Sequence, residues 1–250
     1  MKVFILTRKK LILLSVLLVS SLIIVGLNTV ISVSGPVKEI PIYSVERDDK
    51  KIALTFNSAW GDEDIPKILE ILDKHNVKST FFVVGTWAEK YPESLKKISD
   101  SGHEIAAHSY NHAHYKKMNY QEVIADLEKC DKAIENVIKK DINLFRGGYG
   151  EYSDDVLRAA SATGRTYIQW SVDSIDYSAK SSKEIIKRVT EKTSAGDIIL
   201  MHTGTDFTAE SLDELLTVLS KNFELVPVSD LIYTENFTID HSGRQIKKQA

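Results

Sequence analysis

The stretch IALTFNSAWGDEDIPKILEILDKHNVKSTFFVV, residues 52–84, holds one complete unit of the fold. Its first run, IALTF (52–56), and its last, STFFVV (79–84), are continuously apolar and β-prone, as strands covered on both faces are. Between them Ile65, Ile68, Leu69 and Leu72 recur at i, i+3, i+4 and i+7, the spacing of one helical face. Strand, helix and strand in that order predict two parallel strands joined by a crossover helix.

The same alternation continues through EIAA (104–107), INLF (142–145), TYIQWSV (166–172), DIILM (197–201) and ELVPV (224–228). Helical stripes fall between these runs, at Val123, Leu127, Cys130, Ile134 and Val137 and again at Leu212, Leu215, Leu216 and Leu219. Seven runs in about 200 residues predict an α/β fold, a distorted seven-stranded β/α barrel over residues 51–232. Cys130 lies on a helical stripe and is expected in the core. As the single cysteine it excludes an internal disulfide and a multi-cysteine zinc site.

Upstream, residues 1–34 hold Lys2, Arg8, Lys9, Lys10 and no acid. They are followed by LILLSVLLVSSLIIVG (11–26) and no further charge until Lys38. About 20 apolar residues cross a bilayer as a helix, and the basic flank keeps the N-terminus in the cytoplasm. An uncleaved transmembrane signal-anchor with the body outside the cell membrane is expected. The alternative is a cleaved signal peptide, with Ser32-Val33-Ser34 as a weak cleavage site, and a secreted body. Residues 35–50, with Pro36 and Pro41, read as a linker, and residues 233–250 as a C-terminal tail.

The 250 residues are 43% hydrophobic and 27% charged, enough for a real core and unlike a disordered or collagen-like chain. The net charge of −3 is more negative still in the body once the basic start is set aside. An acidic body with no basic block excludes nucleic acid as the main partner.

Ionisable and polar residues gather where the runs end. The first ends in Asn57-Ser58-Ala59-Trp60-Gly61-Asp62, the third in His108-Ser109-Tyr110-Asn111-His112, and the fourth in Arg146-Gly147-Gly148-Tyr149-Gly150. The fifth ends in Asp173-Ser174-Ile175-Asp176 and the sixth in His202-Thr203. In a β/α barrel the C-terminal strand ends carry the chemistry. His108 and His112, four residues apart, reach one metal ion from a single turn, and imidazole suits zinc and other late first-row metals. Surface or capping histidines are the plainer reading of that spacing, and His114 is expected to face solvent. His202 is a candidate general acid, with Asp173 or Asp176 to orient it. Arg146 is suited to a two-pronged hydrogen bond to a carboxylate, or to a surface ion pair. The glycines around Tyr149 free backbone N–H groups for an oxyanion.

In this order and spacing, TFNSAWGDED, HSYNH, FRGGYG, WSVDSID and ILMHT resemble the motifs of the polysaccharide deacetylases with the NodB homology domain, over roughly residues 50–232. SAWGDED and the ending LIYTENFTIDHSGRQI resemble its sporulation-type subgroup. The resemblance implies a NodB-type barrel and metal-dependent removal of acetyl from N-acetylated glycans, peptidoglycan or chitin-like polymers. It implies a divalent metal, zinc first and cobalt or another transition metal second, on His108 and His112. It makes Arg146 the arginine that orients the catalytic aspartate, Tyr149 the donor of the oxyanion N–H, His202 the general acid and Asp173 the aspartate that tunes it.

The first motif departs from the family's T-F-D-D, in which one aspartate is the base and the next a metal ligand. Asn57 and Ser58 stand there. An amide accepts no proton from a metal-bound water, and serine is a poor ligand beside carboxylate. Asp62, Glu63 and Asp64 are the carboxylates near enough in sequence to substitute, although Asp64 before Ile65-Pro66 also reads as a helix N-cap. Two functions follow: a weakened N-deacetylase, or a non-catalytic glycan-binding member of the same fold. Trp60, Trp87 and Tyr149 are candidates to stack on sugar rings in either. A metal-dependent phosphatase or esterase lacks its carboxylate cluster or G-x-S-x-G elbow.

Overall fold

A computed structural model describes residues 39–248 and, apart from these, Arg8 alone. The expected anchor at residues 11–26 lies outside them. Among the described residues no helix is long and apolar enough to cross a membrane.

The chain runs through β1 (Ser44–Val45), β2 (Lys51–Ser58), α1 (Ile65–Lys74), β3 (Thr80–Val83), α2 (Gly85–Lys90), α3 (Pro92–Asp100) and β4 (Glu104–Ala107). It continues with α4 (Tyr120–Ile138), β5 (Leu144–Phe145), α5 (Asp154–Ala162), β6 (Thr166–Tyr167), β7 (Val172–Asp173) and α6 (Ser182–Lys192). It ends with β8 (Ile198–His202), α7 (Thr208–Leu219), β9 (Glu224–Leu225), α8 (Val228–Leu231), β10 (Phe237–Ile239) and β11 (Arg244–Lys247). The main sheet has the order β6-β5-β4-β3-β2-β8-β7, every neighbour parallel.

That order forces the sheet to curl. Seven strands laid flat at 4.8 Å per strand put the outer two about 29 Å apart. The outer two are β6 and β7, and the five residue steps from Tyr167 to Val172 reach at most about 18 Å. The edges are therefore drawn round into a seven-stranded half-barrel. Residues 42–45 lie across the opening. Gln169 N–H donates to Ile42 O at 2.7 Å and Val45 N–H to Gly196 O at 2.8 Å.

Three expectations are corrected here. TYIQWSV is not one strand. It splits into β6 and β7 at opposite edges, because its middle turns across the barrel mouth and bonds to Ile42. ELVPV is not a seventh barrel strand either; its two-residue β9 pairs only with the start of β2. And the segments read as linker and tail fold: β1 pairs with β11, β11 with β10, and Ile42, Val45 and Gln245 are buried. Gln245 is held by paired hydrogen bonds to the backbone of Tyr233, which docks the hairpin against the body.

The two-residue period of β2 sorts its side chains. Ile52, Leu54 and Phe56 join the core between sheet and helices, while Ala53 joins the core inside the barrel. Thr55 and Asn57 continue the inner row. The helical stripes bury as expected; α4 starts in a capping box of Asn119 and Glu122 and buries Val123, Leu127, Cys130 and Ile134. Burial pushes the Cys130 thiol up to about 12, so it is a core side chain and no nucleophile. Asp64 stands at the N-cap of α1 without capping it. Both its oxygens accept instead from Gly204 N–H at 2.9 Å.

Candidate active site at the barrel mouth

Parallel pairing sets Asn57 on β2 beside His202 on β8, and both line a cavity of about 350 Å³ at the C-terminal strand ends. Asp173 reaches the same cavity from β7, His112 from the loop after β4, and Tyr149 from the loop after β5. Five segments that are remote in sequence meet here because the sheet curls.

Beneath Asn57 lies Arg146, fully buried. Its Nη1 donates to Asn57 Oδ1 at 2.9 Å and Thr55 Oγ1 at 3.0 Å; Nε and Nη2 donate to the carbonyls of Ile168 and Gln169. The guanidinium sits 3.8 Å over the Phe82 ring. Burial pulls its pKa down to about 9, so it stays charged at neutral pH. Among the described residues no carboxylate touches it. The expected carboxylate partner, or surface ion pair, is replaced by an amide, a hydroxyl and two carbonyls.

His108 and His112 lie together, ring centroids 4.9 Å apart. His108 Nδ1–H donates to Arg146 O at 2.9 Å, which leaves Nε2 with its lone pair. That Nε2 is buried and without a partner, as is Ser58 Oγ. Burial first, and each other's proximity for His108, hold both imidazoles below the usual histidine range and so neutral. Neutral imidazoles with an unused buried lone pair fit a late first-row metal ion. Among the described residues no third His, Cys, Asp or Glu converges with them, because the matching position is Ser58. Asp62 is engaged by Ser94 Oγ at 2.6 Å and Asp64 by Gly204. Neither they nor Glu63 line the cavity.

Asp176, not Asp173, holds His202. Its Oδ1 accepts from His202 Nδ1–H at 2.8 Å; its Oδ2 accepts from His202 N–H and from Thr208 Oγ1, both at 2.6 Å. The imidazole therefore turns Nε2 away from Asp176. Asp173 is displaced from this role because its Oδ1 caps the turn at Ile175 N–H, 2.9 Å away. The two aspartates are three residues apart, and spacing alone does not choose between them.

The Tyr149 loop is a single 3₁₀ turn closed by Gly150 N–H to Gly147 O and Glu151 N–H to Gly148 O. Neither bond uses the Tyr149 N–H. At Gly148 a Cβ would stand 2.7 Å from Ala113 O, and at Gly150 2.6 Å from the Trp170 ring, with φ +65°. This close approach is what the glycines allow. Tyr149 itself sits at φ +58° with its ring edge-on to His112 and stacked flat on His114 at 4.1 Å. His114 faces solvent as expected, with its ring stacked on Tyr149 and Nδ1 beside Glu151.

Among the described residues the exposed large apolar side chains are Trp60, Tyr149 and Tyr177, and all three rim this cavity. Trp60 stacks on His202 at 5.2 Å and Tyr177 meets it edge-on at 5.5 Å. Trp87 is buried, its Nε1–H donating to Gly61 O; it supports the Trp60 loop from beneath and stacks on no sugar. Sequence reading missed Tyr177, Trp170 and Thr208. Tyr177, directly after Asp176 at a strand end, carried the one usable signal.

Comparison with known proteins agrees with this fold. The profile of the polysaccharide deacetylase family matches residues 44–168. The uncharacterized protein YlxY of Bacillus subtilis is 37% identical over 193 residues, 77% of this chain and 60% of its own. The peptidoglycan-N-acetylglucosamine deacetylase PgdA of Listeria monocytogenes is 34% identical over 202 residues, 80% of this chain and 42% of its own. This chain thus spans about half the length of these curated relatives. The crystal structure of BA3943, a CE4 family pseudoenzyme from Bacillus anthracis, superposes with a TM-score of 0.74 at 35% identity, over 77% of this chain and 68% of that one. A mutant of the same protein with restored enzymatic activity superposes equally well.

Proposed function

The chain belongs to the polysaccharide deacetylase family, and from that premise we propose that its barrel mouth binds N-acetylated amino-sugar polymers of the peptidoglycan type and removes their acetyl groups slowly. The observation that carries this reading is the meeting of the His108–His112 pair and the His202–Asp176 pair at one cavity rimmed by every exposed large aromatic side chain described. Aromatic faces stack on the apolar faces of sugar rings. PgdA, by its name, acts on peptidoglycan N-acetylglucosamine.

His108 and His112 are the residues that would hold a divalent metal, zinc first; such an ion supplies Lewis-acid polarisation of the acetamide carbonyl and a more acidic water. The remaining work belongs to the chain. The Tyr149 N–H donates to the carbonyl oxygen as it gains charge. A water adds its oxygen to the acetamide carbon and releases its proton to solvent; His202, oriented by Asp176, protonates the amine nitrogen as the C–N bond breaks, and acetate and the free amine depart. Asn57 contributes no base: its Oδ1 accepts from Arg146. That absence favours a second reading, a glycan-binding domain without turnover, and BA3943, a pseudoenzyme whose mutant regains activity, supports it.

Acetate release from N-acetylglucosamine oligomers and peptidoglycan by the zinc- or cobalt-loaded full chain, with His108→Ala as blank, decides between them. Release above the blank is expected; release equal to it leaves the binding reading in place. The proposal extends to location. Residues 11–26 hold the domain outside the cell membrane, and protease protection of the N-terminus alone in intact cells is the expected result. A sporulation role rests on the SAWGDED motif and the chain's ending; expression confined to spore-forming cultures supports it.

A further inference from the structure

Asn57 occupies a position with two chemically opposite ends, and Arg146 decides which end faces the ligand. A guanidinium only donates, so the amide must give it Oδ1, as it does at 2.9 Å. The Nδ2 group then points the other way. Among the described residues it has no hydrogen-bond partner, yet it is not among the sealed polar atoms that lack one. Asn57 is 5% exposed and lines the 350 Å³ cavity, so the small area it exposes includes this NH₂. Where a base would present a lone pair, the mouth presents two N–H donors on a rigid mount. Thr55 Oγ1 and the carbonyls of Ile168 and Gln169 hold the guanidinium from the other sides. The amide therefore cannot flip without leaving Arg146 facing an NH₂.

From this we infer that Asn57 is a ligand-recognition residue whose Nδ2–H donates to the carbonyl oxygen of an intact acetamide, so that the mouth selects acetylated over deacetylated amino sugars. Tyr149 lines the same cavity and its N–H is unused by its own turn, and a carbonyl oxygen has two lone pairs for two such donors. An ammonium at the same carbon offers no acceptor and leaves both donors unsatisfied, which costs affinity. Acetate has the same acceptor chemistry without the sugar and is the second source of it.

The inference rests on the proposed glycan site, and the test separates the two. Calorimetric titration of the full chain in detergent, with a chelator present so that no variant hydrolyses the ligand, uses tetramers of N-acetylglucosamine and of glucosamine, and sodium acetate. The parent is expected to prefer the acetylated tetramer roughly tenfold. Asn57→Asp keeps a partner for Arg146 and replaces the outward donor by an acceptor; it loses that preference. Asn57→Ala loses it too, and Trp60→Ala weakens both tetramers alike. In the parent, the Asn57 side-chain amide resonances shift with the acetylated tetramer and not with glucosamine. Acetate shifting them as far at equal concentration, without the sugar, overturns the sugar-selective part of the inference. An unchanged preference in both Asn57 variants overturns the inference and leaves the glycan site standing; no binding of either tetramer by the parent overturns both.

Discussion

At the N-terminal ends of the strands, Thr80 Oγ1 accepts from Val228 N–H at 2.9 Å and donates to Glu104 at 2.6 Å, while Glu104 also takes the Ser229 hydroxyl. At the C-terminal ends, Ser58 Oγ, His108 Nε2, Gln169 Oε1 and Thr203 Oγ1 are buried with no hydrogen-bond partner; away from the mouth Ser79 Oγ, Arg165 Nε and Asp131 Oδ1 share that state, but Arg165 and Asp131 form an ion pair with each other. Backbone strain divides the same way. Residues with positive φ near the N-terminal ends and turns are Lys50, Asn76, Lys139 and Asn236, ordinary turn and helix-end positions; at the mouth they are Ser109, His112, Tyr149 and Ile175. A β-branched side chain there is a true outlier. One end satisfies most of its polar groups internally, and the other leaves more of them for something that is not protein.

The largest effect expected is at the mouth. Asn57→Asp restores a carboxylate against Arg146 and an acceptor in the cavity, and acetate release from N-acetylglucosamine oligomers should rise about 10²–10⁴-fold. The same variant should resist urea better, by about 2 kcal/mol, because a buried cation gains a charged partner. Lower stability would show that Arg146 is already compensated.

Next comes the closed end. Burial pulls His103 from 6.5 down to about 4. Between those values the unfolded chain takes up a proton that the folded chain refuses, so stability falls as pH falls, by about 3 kcal/mol over the window. Urea midpoints at pH 7 and 4 measure this, and His103→Asn, which keeps an acceptor for Ser79 N–H, should flatten the slope. An equal slope in the variant removes His103 as the cause.

Thr80→Val strands Val228 N–H and should cost about 1–3 kcal/mol with glycan affinity untouched. A change in affinity would break the separation of the two ends. The smallest effect is strain. Ile175→Gly should raise stability by about 1 kcal/mol, whereas Asn76→Gly, at a residue that tolerates φ > 0, should leave thermal melting within about a degree.

Most of the architecture was legible from the chain because period and order are local. Apolar runs at strand length, stripes at 3.6-residue spacing, and polar clusters after each run predicted the parallel sheet and put Asn57, His108, His112, Arg146, Tyr149 and His202 at one rim. That Asn57 stands at the base position was implied by the family resemblance of its motif. What the chain left open depends on neighbours created by curling. TYIQWSV reads as one strand until its ends are required to reach opposite edges of the sheet. Asp173 and Asp176 are equivalent in spacing, and only the fold sets Asp176 against His202 and Thr208. Trp60 and Trp87 are alike in composition but differ in exposure, rim against core. The direction of the Asn57 amide is set by Arg146, 89 residues away in sequence, because a donor-only cation buried beneath it accepts one orientation and refuses the other.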